Sequence, residues 1–208
     1  MEFEEQKNFA EAKLSGLHKK KMDELFMQQK KTQLSKIDKS SIGSWDKKIE
    51  GLCNKINRKK DFYTTSSCSG RVVLLKASDV KIENAFLFRS HDKIKFVELK
   101  NSLFEIGQNY NGLVEFQQTS GILHVACKEL SGAFELGSKA REAGWKRSGV
   151  MGGSRNMVEI NSTESISFPI MDKGIILVGD DFLKLIVEIA NEKLERGWDK
   201  IGRLGKLI

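Results

Sequence analysis

The sequence predicts an α+β fold: a mixed, largely antiparallel sheet with flanking helices and helical segments at both ends of the chain. Apolar residues recur at helical spacing near both ends, whereas the middle carries one short apolar run of strand length after another. Strands that follow one another directly favour antiparallel pairing. We therefore expect a single domain over residues 1–208, with a helical segment at 1–60, a strand-rich core at 61–178 and a C-terminal helix at 179–208.

Two helices are predicted in the first 60 residues. The first, at 2–36, is indicated by apolar residues at helix-like intervals, namely Phe3, Phe9, Leu14, Leu17, Met22, Leu25, Phe26 and Leu34. Its lysines at 19–21 and 30–31 are expected on the solvent side. The second helix, at 44–58, follows Ser40 and Ser41 and has one apolar stripe of Trp45, Ile49, Leu52 and Ile56. It ends in three cations at 58–60, which suit a helix C-terminus and equally suit contact with phosphate.

The apolar period changes to that of strands after Arg71. The predicted strands are 72–77, 85–91, 111–118, 121–130, 145–150, 156–162, 165–171 and 175–178. The predicted helices among and after them are 95–107, 131–144 and an amphipathic one at 180–204. Side chains expected to point inward from the last two are Phe134, Leu136, Ala140, Phe182, Leu185, Ile186, Ile189 and Leu194. A tight turn at Ser120 and Gly121 is expected to join two strands.

Composition restricts the class of function. The chain has 35 Lys and Arg against 28 Asp and Glu, a net charge of +7 that suits RNA or DNA as partner, although lysine-rich proteins from hot environments share it. No apolar run approaches the roughly 18 residues of a membrane span. The charged N-terminus lacks the apolar region of a signal peptide. Three cysteines without a C-x-x-C pair indicate the reducing cytoplasm and disfavour a zinc site.

The stretch SSCSGR, from Ser66 to Arg71, is the first candidate site. A strand follows it and no Gly-Lys-Ser/Thr is present, so it is not a Walker loop. Cys68 lies too close to Arg71 for a phosphatase loop, and a nucleophilic role for this thiol is disfavoured. As a loop, the stretch would offer hydroxyls, a permissive glycine and a guanidinium, groups that bind a carboxylate or phosphate. The competing interpretation is a serine-rich turn followed by a surface arginine.

Two histidines and a glycine-rich segment are further candidates. His91 ends one predicted strand and His124 lies within another, and each is either a hydrogen-bonded core residue or a group that lines a cleft. The segment 146–160 has three glycines, two serines and two arginines. It is either a flexible hairpin or a mobile basic loop over a ligand. No H-x-H or H-E-x-x-H spacing supports a metal site.

Together these segments resemble the tRNA wybutosine-synthesising protein 3 family, the third enzyme of wybutosine synthesis. The resemblance runs from about Lys48 to Lys193 and is carried, in the family's order, by FYTTSSCSGR, the His91 strand, ILHVAC, GWKRSGV, NSTESISFPI and IANEK. It implies an S-adenosylmethionine-dependent methyltransferase of tRNA(Phe). The implied target is N4 of the tricyclic wyosine base beside the anticodon, already bearing an aminocarboxypropyl side chain. The family's α+β fold is unrelated to the Rossmann methyltransferases, whose glycine motif is absent here.

The resemblance also implies roles for individual residues. A carboxylate of the cofactor or of the substrate tail, or a phosphate, would be bound by Ser66, Ser67, Ser69, Gly70 and Arg71. Asp61 would either meet an ammonium group or accept the N4 proton, and His91 and His124 would be rival proton acceptors or contacts to the base edge. The wall of the pocket would be completed by Ser148, Gly149 and Ser162. Two other classes of function compete with the methyltransferase: a basic RNA-binding protein without catalysis, and a small-molecule enzyme that does not bind tRNA.

Overall fold

The computed structural model describes residues 19–36, 46–78, 80, 83–153 and 155–208. Helix α1 covers 19–34 within this part, and the other helices are α2 (Lys47–Arg58), α3 (Phe96–Asn109), α4 (Leu130–Glu142) and α5 (Asp180–Leu207). The strands are β1 (Phe62–Cys68), β2 (Arg71–Lys76), β3 (Phe86–Ser90), β4 (Val114–Thr119), β5 (Ile122–Cys127), β6 (Gly149–Met151), β7 (Asn156–Asn161), β8 (Ile166–Asp172) and β9 (Ile175–Ile176). The predicted positions of Phe3, Phe9, Leu14, Leu17, Ser40, Ser41 and Trp45 lie outside the described residues.

The strands form two antiparallel sheets. Sheet A has the order β1-β5-β7-β6, and sheet B has the order β3-β2-β4-β8-β9. Every pair of neighbouring strands is antiparallel. The predicted α+β class with largely antiparallel pairing is therefore confirmed. Among the described helices, none has the length and apolar character that a membrane crossing requires.

Three segments of the chain pass from one sheet directly into the other. Cys68 pairs with Ile122 in sheet A and Arg71 pairs with Thr119 in sheet B, so β1 and β2 run on alongside β4 and β5 as one bent ribbon. The third crossing, at residues 162–165, joins β7 to β8. We call the three crossings, at 69–70, 120–121 and 162–165, the seam.

The tight turn predicted at Ser120 and Gly121 is wrong. The strands on either side of it, β4 and β5, lie in different sheets and do not pair with each other. A small residue followed by glycine marks a sharp bend in a continuing strand as well as a hairpin. Only the pairing partners distinguish the two.

Gly70 permits the bend of the first crossing. Its φ is +103°, and a Cβ there would lie 3.0 Å from the carbonyl oxygen of Thr119 and 3.2 Å from Cδ2 of Leu194. Ser69 and Gly70 are both buried, so the in-and-out alternation of side chains shifts by one residue across the bend. The core faces of both sheets consequently point to the same side.

Helix α5 packs against both core faces. Its N-terminal half joins α3 on sheet B through residues that include Leu183 and Leu194. Its C-terminal half joins α2 and α4 on sheet A through Ile201 and Leu204. We call the surface of the two sheets away from α5 the outer face. Helix α1 covers part of it in sheet A, where the rings of Phe26 and Tyr63 lie 5.2 Å apart.

Some side chains face the opposite way from that predicted. Phe134, Phe182 and Leu185 are exposed rather than inward, because the buried stripes of α4 and α5 run one residue to the side of them. Lys30, predicted on the solvent side, is buried and its ammonium group donates to the carbonyl oxygen of Lys59. Periodicity identifies a helix, but packing partners decide which stripe is covered.

The strand predicted at 145–150 is mostly a turn. Trp145 is fully buried, and its indole N–H donates to the carbonyl oxygen of Lys200 at 3.1 Å. Residues 146–147 form a turn, and β6 begins only at Gly149. Trp145 therefore anchors the end of α4 against α5 and does not start a strand.

Candidate functional site

The serine-rich stretch is part of a strand, and the predicted loop is wrong over Ser66–Cys68. These residues pair with β5, and only Ser69 and Gly70 lie between β1 and β2. A register shift between Thr64 and Ser66 sets which side chains face outward. Ser66 and Cys68 lie on the outer face, whereas the Ser67 hydroxyl hydrogen-bonds the buried Cys53 of α2. The stretch is rich in hydroxyls but does not form a single anion-binding loop.

Ser66, His124 and Glu159 form a hydrogen-bonded row across β1, β5 and β7. The three residues are direct partners in the sheet. Ser66 Oγ lies 2.6 Å from Nδ1 of His124, and Glu159 Oε2 lies 3.0 Å from Nε2. A carboxylate only accepts hydrogen bonds, so Nε2 carries a proton, and in the singly protonated form of His124 the lone pair of Nδ1 faces Ser66. The histidine and glutamate side chains are 24% and 37% exposed, which leaves the row accessible.

His91 lies in a second cluster, beside the first crossing. Its Nδ1 donates to Asp46 Oδ2 at 3.1 Å and lies 3.8 Å from Sγ of Cys68. The backbone N–H of Ser69 donates to the same carboxylate oxygen at 2.8 Å. The hydrogen bond to Asp46, and then the one to Cys68, raise the pKa of His91 to about 9 against the opposing effect of burial. Burial raises the pKa of Asp46, but hydrogen bonds from His91 and Ser69 outweigh it and hold that pKa below its usual range.

The same cluster is the one place in the described chain where potential metal ligands converge. The ligand atoms of Asp46, Cys68 and His91 lie within 4.8 Å of one another. The Nδ1 proton of His91 already satisfies Asp46, so a metal ion would have to displace that proton. As the structure stands, the cluster is an ion pair that joins α2 to the first crossing of the seam.

The His91–Asp46 pair predicts a loss of stability at alkaline pH. The folded pKa of His91, about 9, lies above its ordinary value of 6.5. The contribution of the pair is therefore fully present below about pH 6.5 and is lost as the pH rises through about 9. In urea denaturation we expect the free energy of unfolding to be about 1–2 kcal/mol lower at pH 9.5 than at pH 6.5, after allowance for solvent screening. His91→Asn should remove this difference, and an equally steep decline in that variant would assign the titration to another group.

Arg71 begins β2 on the outer face of sheet B. Its guanidinium carbon lies 4.9 Å from the ring centroid of Phe86. Its Nε is buried and has no hydrogen-bond partner among the described residues. A buried donor without a partner costs free energy, so this nitrogen is a candidate for pairing with an added acceptor.

Ser162 is one of the residues whose hydrogen bonds stabilise the third crossing. Its hydroxyl accepts from the ammonium group of Lys200 at 3.0 Å, and that group also donates to Glu164 at 2.8 Å. The hydrogen bond from Lys200 is the main cause that lowers the pKa of Glu164. Because Ser162 is buried and its hydroxyl accepts from Lys200, the structure gives it a place in the support of the seam.

Three other predicted residues lie apart from the stretch around Arg71. Asp61 is 54% exposed and precedes β1 at the end remote from the seam, 4.0 Å from Lys128. The hydroxyl of Ser148 donates to the carbonyl oxygen of Trp145. Gly149 pairs with Glu159 at the edge of sheet A, and a Cβ there would meet nothing within 4 Å. Of the three, only Gly149 adjoins the row of Ser66, His124 and Glu159.

A cavity of about 480 Å³ lies between α1 and the end of sheet A near Asp61. Its lining includes Phe26, Tyr63, Lys128 and Arg155. Of the candidates named from the sequence, the segment 146–160 contributes to the lining, through Gly153, Arg155 and Asn156. No residue of either histidine cluster lines the cavity.

The family of the chain follows from comparison with known proteins. The sequence model of the family described as Methyltransferase TYW3 matches residues 26–208. The chain belongs to this family. The resemblance recognised from the sequence is confirmed, and this TYW3-family chain is a methyltransferase, not a binding protein without catalysis.

Named relatives agree with the family match. A protein of Archaeoglobus fulgidus is 37% identical over 162 residues, which cover 77% of this chain and 81% of that protein. A protein of Thermococcus sibiricus is 35% identical over 192 residues, which cover 90% and 94%. Both are named tRNA(Phe) 7-((3-amino-3-carboxypropyl)-4-demethylwyosine(37)-N(4))-methyltransferase.

A solved structure confirms the fold of this TYW3-family methyltransferase. The PH1069 protein from Pyrococcus horikoshii superposes with a TM-score of 0.79 and 31% identity, covering 89% of this chain and 94% of that one. The expectation of a fold other than the Rossmann methyltransferase fold is also confirmed, since the sheets are antiparallel throughout the described residues.

Sequence reasoning missed Asp46, Glu159 and Lys200. Asp46 caps the N-terminus of α2 by accepting from the N–H of Lys48, a position where aspartate before an apolar stripe is a recognisable signal. Glu159 alternates with buried Val158 and Ile160 in a strand, which indicates an outward polar group. Nothing local marks Lys200 among the other lysines, because its partners lie more than 30 residues away.

Proposed function

We propose that this chain methylates N4 of the aminocarboxypropyl-demethylwyosine base of tRNA(Phe), with S-adenosylmethionine as donor. The observation that carries the proposal is the name shared by the two archaeal relatives, each at least 35% identical. The unpaired cysteines agree with a reaction in the cytoplasm. The outer face beside the seam carries two groups that suit such a reaction: a guanidinium whose Nε has no partner among the described residues and an accessible histidine.

The cofactor fits the chain at Arg71. The donor carries a carboxylate, and the buried, unpartnered Nε of this arginine is a donor that a carboxylate satisfies through charge-assisted hydrogen bonds. Ser69 and Gly70 are buried and hold the bend that places Arg71. When bound, the cofactor supplies an electrophilic methyl group on a sulfonium. The aminocarboxypropyl tail of the base carries a carboxylate as well, and the binding experiment below separates the two.

His124 is the proton acceptor of the proposed reaction. His91, with a pKa of about 9, already holds its second proton at neutral pH and cannot take another. Asp61 is exposed and lies at the far end of β1. Neutral His124 presents a lone pair on Nδ1 toward Ser66, and general-base catalysis of this kind contributes about 10²- to 10⁴-fold.

The anticodon arm is held by basic groups that border the outer face of sheet A. Lysines 19–21 of α1 are exposed, as are Lys146, Arg147 and Arg155 on either side of β6. Phosphate contacts of this kind give affinity and a steep salt dependence. The modified base leaves its stack to reach the seam, since an enzyme that reacts with a base must expose it.

Calorimetry with S-adenosylmethionine tests the proposed cofactor site. Loss of a charge-assisted hydrogen bond costs about 1.5–3 kcal/mol, so Arg71→Ala should weaken cofactor binding by about 10- to 100-fold. The melting temperature should stay nearly unchanged. Arg58→Ala, which removes the same charge from the exposed end of α2, should bind the cofactor like the wild type.

The outcomes of this titration separate the competing functions. If the wild-type chain releases no heat with the cofactor but binds tRNA(Phe) carrying the modified base, the donor assignment is wrong. If Arg71→Ala binds the cofactor normally but loses affinity for that tRNA alone, the guanidinium pairs with the substrate tail. A wild-type chain that binds neither would contradict the proposed function altogether.

A further inference from the structure

Glu159 is the one acidic residue in the described strands of sheet A, and its carboxylate is aimed at a histidine. Its Oε2 lies 3.0 Å from Nε2 of His124. No lysine or arginine among the described residues lies within ion-pair distance of it, so the carboxylate is not needed to neutralise a basic side chain. Its placement opposite His124 is fixed by the strand register, and this makes the contact independent of a flexible loop.

The contact decides which nitrogen of His124 is basic. A carboxylate is an acceptor, so Nε2 must carry a proton when it faces Glu159. The remaining nitrogen, Nδ1, lies 2.6 Å from Ser66 Oγ and accepts the hydroxyl proton. Ser66 is exposed, so its oxygen keeps a lone pair for a ligand on the outer face. Without Glu159 the ring can carry its proton on Nδ1 instead, and the hydroxyl then loses its acceptor.

We propose that Glu159 is the positioning residue of a proton relay that runs from Ser66 to His124. The proposal rests on the proposed methyl transfer to a ring nitrogen. In the step, the N–H bond of the substrate breaks and its proton passes to Ser66 Oγ while the hydroxyl proton moves to Nδ1 of His124. The electron pair left on the nitrogen forms the N–C bond, and the electrons of the broken S–C bond stay on the donor sulfur. The imidazolium is stabilised by Glu159 and then returns its proton to water.

A purely structural salt bridge is the alternative explanation of the same distances. Cross-strand ion pairs contribute to sheet stability, and a partly exposed pair contributes little. Such a pair would change the melting temperature slightly when removed. It would not determine the tautomer of His124 or the pH dependence of the reaction.

The test is Glu159→Gln, which keeps the shape of the side chain and removes its charge. We expect kcat to fall about 10- to 100-fold, within the range of general-base effects, with KM for the tRNA nearly unchanged. The acidic limb of the pH–rate profile should move to lower pH, and Glu159→Asp should recover part of kcat. Ser66→Ala should lower kcat without that movement. Glu115→Gln, the same charge change on sheet B, where the carboxylate accepts from the side-chain amide of Gln117, is the matched control.

Ring ¹⁵N chemical shifts of His124 test the positioning without any turnover. In the wild-type chain above the titration range we expect a protonated Nε2 and a bare Nδ1, and in Glu159→Gln a mixture of both tautomers. Identical ¹⁵N shifts in the two chains, or an unchanged kcat in Glu159→Gln, would overturn the relay. A wild-type chain that shows the expected tautomer but transfers no methyl group would contradict the proposed function and leave the positioning of His124 established.

Discussion

Replacement of His124 by alanine should lower kcat by about 10²- to 10⁴-fold, the contribution of a well-placed general base. The variant removes the ring nitrogen Nδ1, which lies 2.6 Å from Ser66 Oγ and would accept the hydroxyl proton. It leaves Arg71 untouched. Single-turnover methylation of tRNA(Phe) carrying the demethylwyosine base measures the chemical step. Cofactor affinity and tRNA affinity should both stay within a factor of about three, because less than 1 kcal/mol of binding is involved.

His91→Ala is the matched control for that experiment. Its imidazole belongs to the cluster with Asp46 and Cys68. The pKa of about 9 gives this ring a second proton at neutral pH. We expect this variant to lose stability and to lose much less of its rate than His124→Ala. A rate in His124→Ala close to that of the wild type, or a large loss of tRNA affinity, would contradict the assignment of His124 as the proton acceptor.

Replacement of Lys200 by methionine should cause the largest loss of stability. Lys200 is 8% exposed, and its ammonium group holds both Ser162 and Glu164 at the third crossing. Methionine fills similar space but leaves a mostly buried carboxylate and a buried hydroxyl without this donor. Removal of one partner of such a pair costs about 3 kcal/mol or more, which corresponds to a fall of roughly 10 °C in melting temperature.

Lys184→Met on the same helix provides the control. Lys184 pairs with Asp181 at the surface, and exposed pairs contribute about 0–1 kcal/mol. The double variant Lys200→Met with Glu164→Gln should recover part of the lost stability, since it removes a mostly buried carboxylate that would otherwise keep only Arg196 and Lys193 as charged partners. Equal melting temperatures for Lys200→Met and Lys184→Met would show that the seam does not depend on this lysine.

The two expected losses describe two layers of one region. The outer face carries the row of Ser66, His124 and Glu159 that we propose to transfer the proton, and the inner side carries Lys200, which pairs with Ser162 and Glu164 at the third crossing. The three residues of the row are direct partners on neighbouring strands. The hydrogen-bond distances within the row therefore depend on the crossings that hold these strands in place. A weakened seam should therefore reduce turnover even in variants whose reactive side chains are all present.

Much of the fold was predictable because its signals are local. The helices α2, α3, α4 and α5 and most strands arise from apolar periodicity, which depends only on neighbours along the chain. The family resemblance came from short motifs in a fixed order and did not require a structure. Even Asp46 left a local mark, as a capping residue before an apolar stripe.

The sequence alone therefore determined the α+β class, the antiparallel pairing, the family and the two histidines worth testing. Only the tertiary structure decided which groups surround them. It turned the supposed serine loop into a strand, converted a supposed hairpin at Ser120 into a bend, and gave His91 a carboxylate that holds its proton. The reason is that hydrogen-bond partners such as Glu159 for His124 are 35 residues apart in the chain, and no local pattern specifies which distant strands become neighbours.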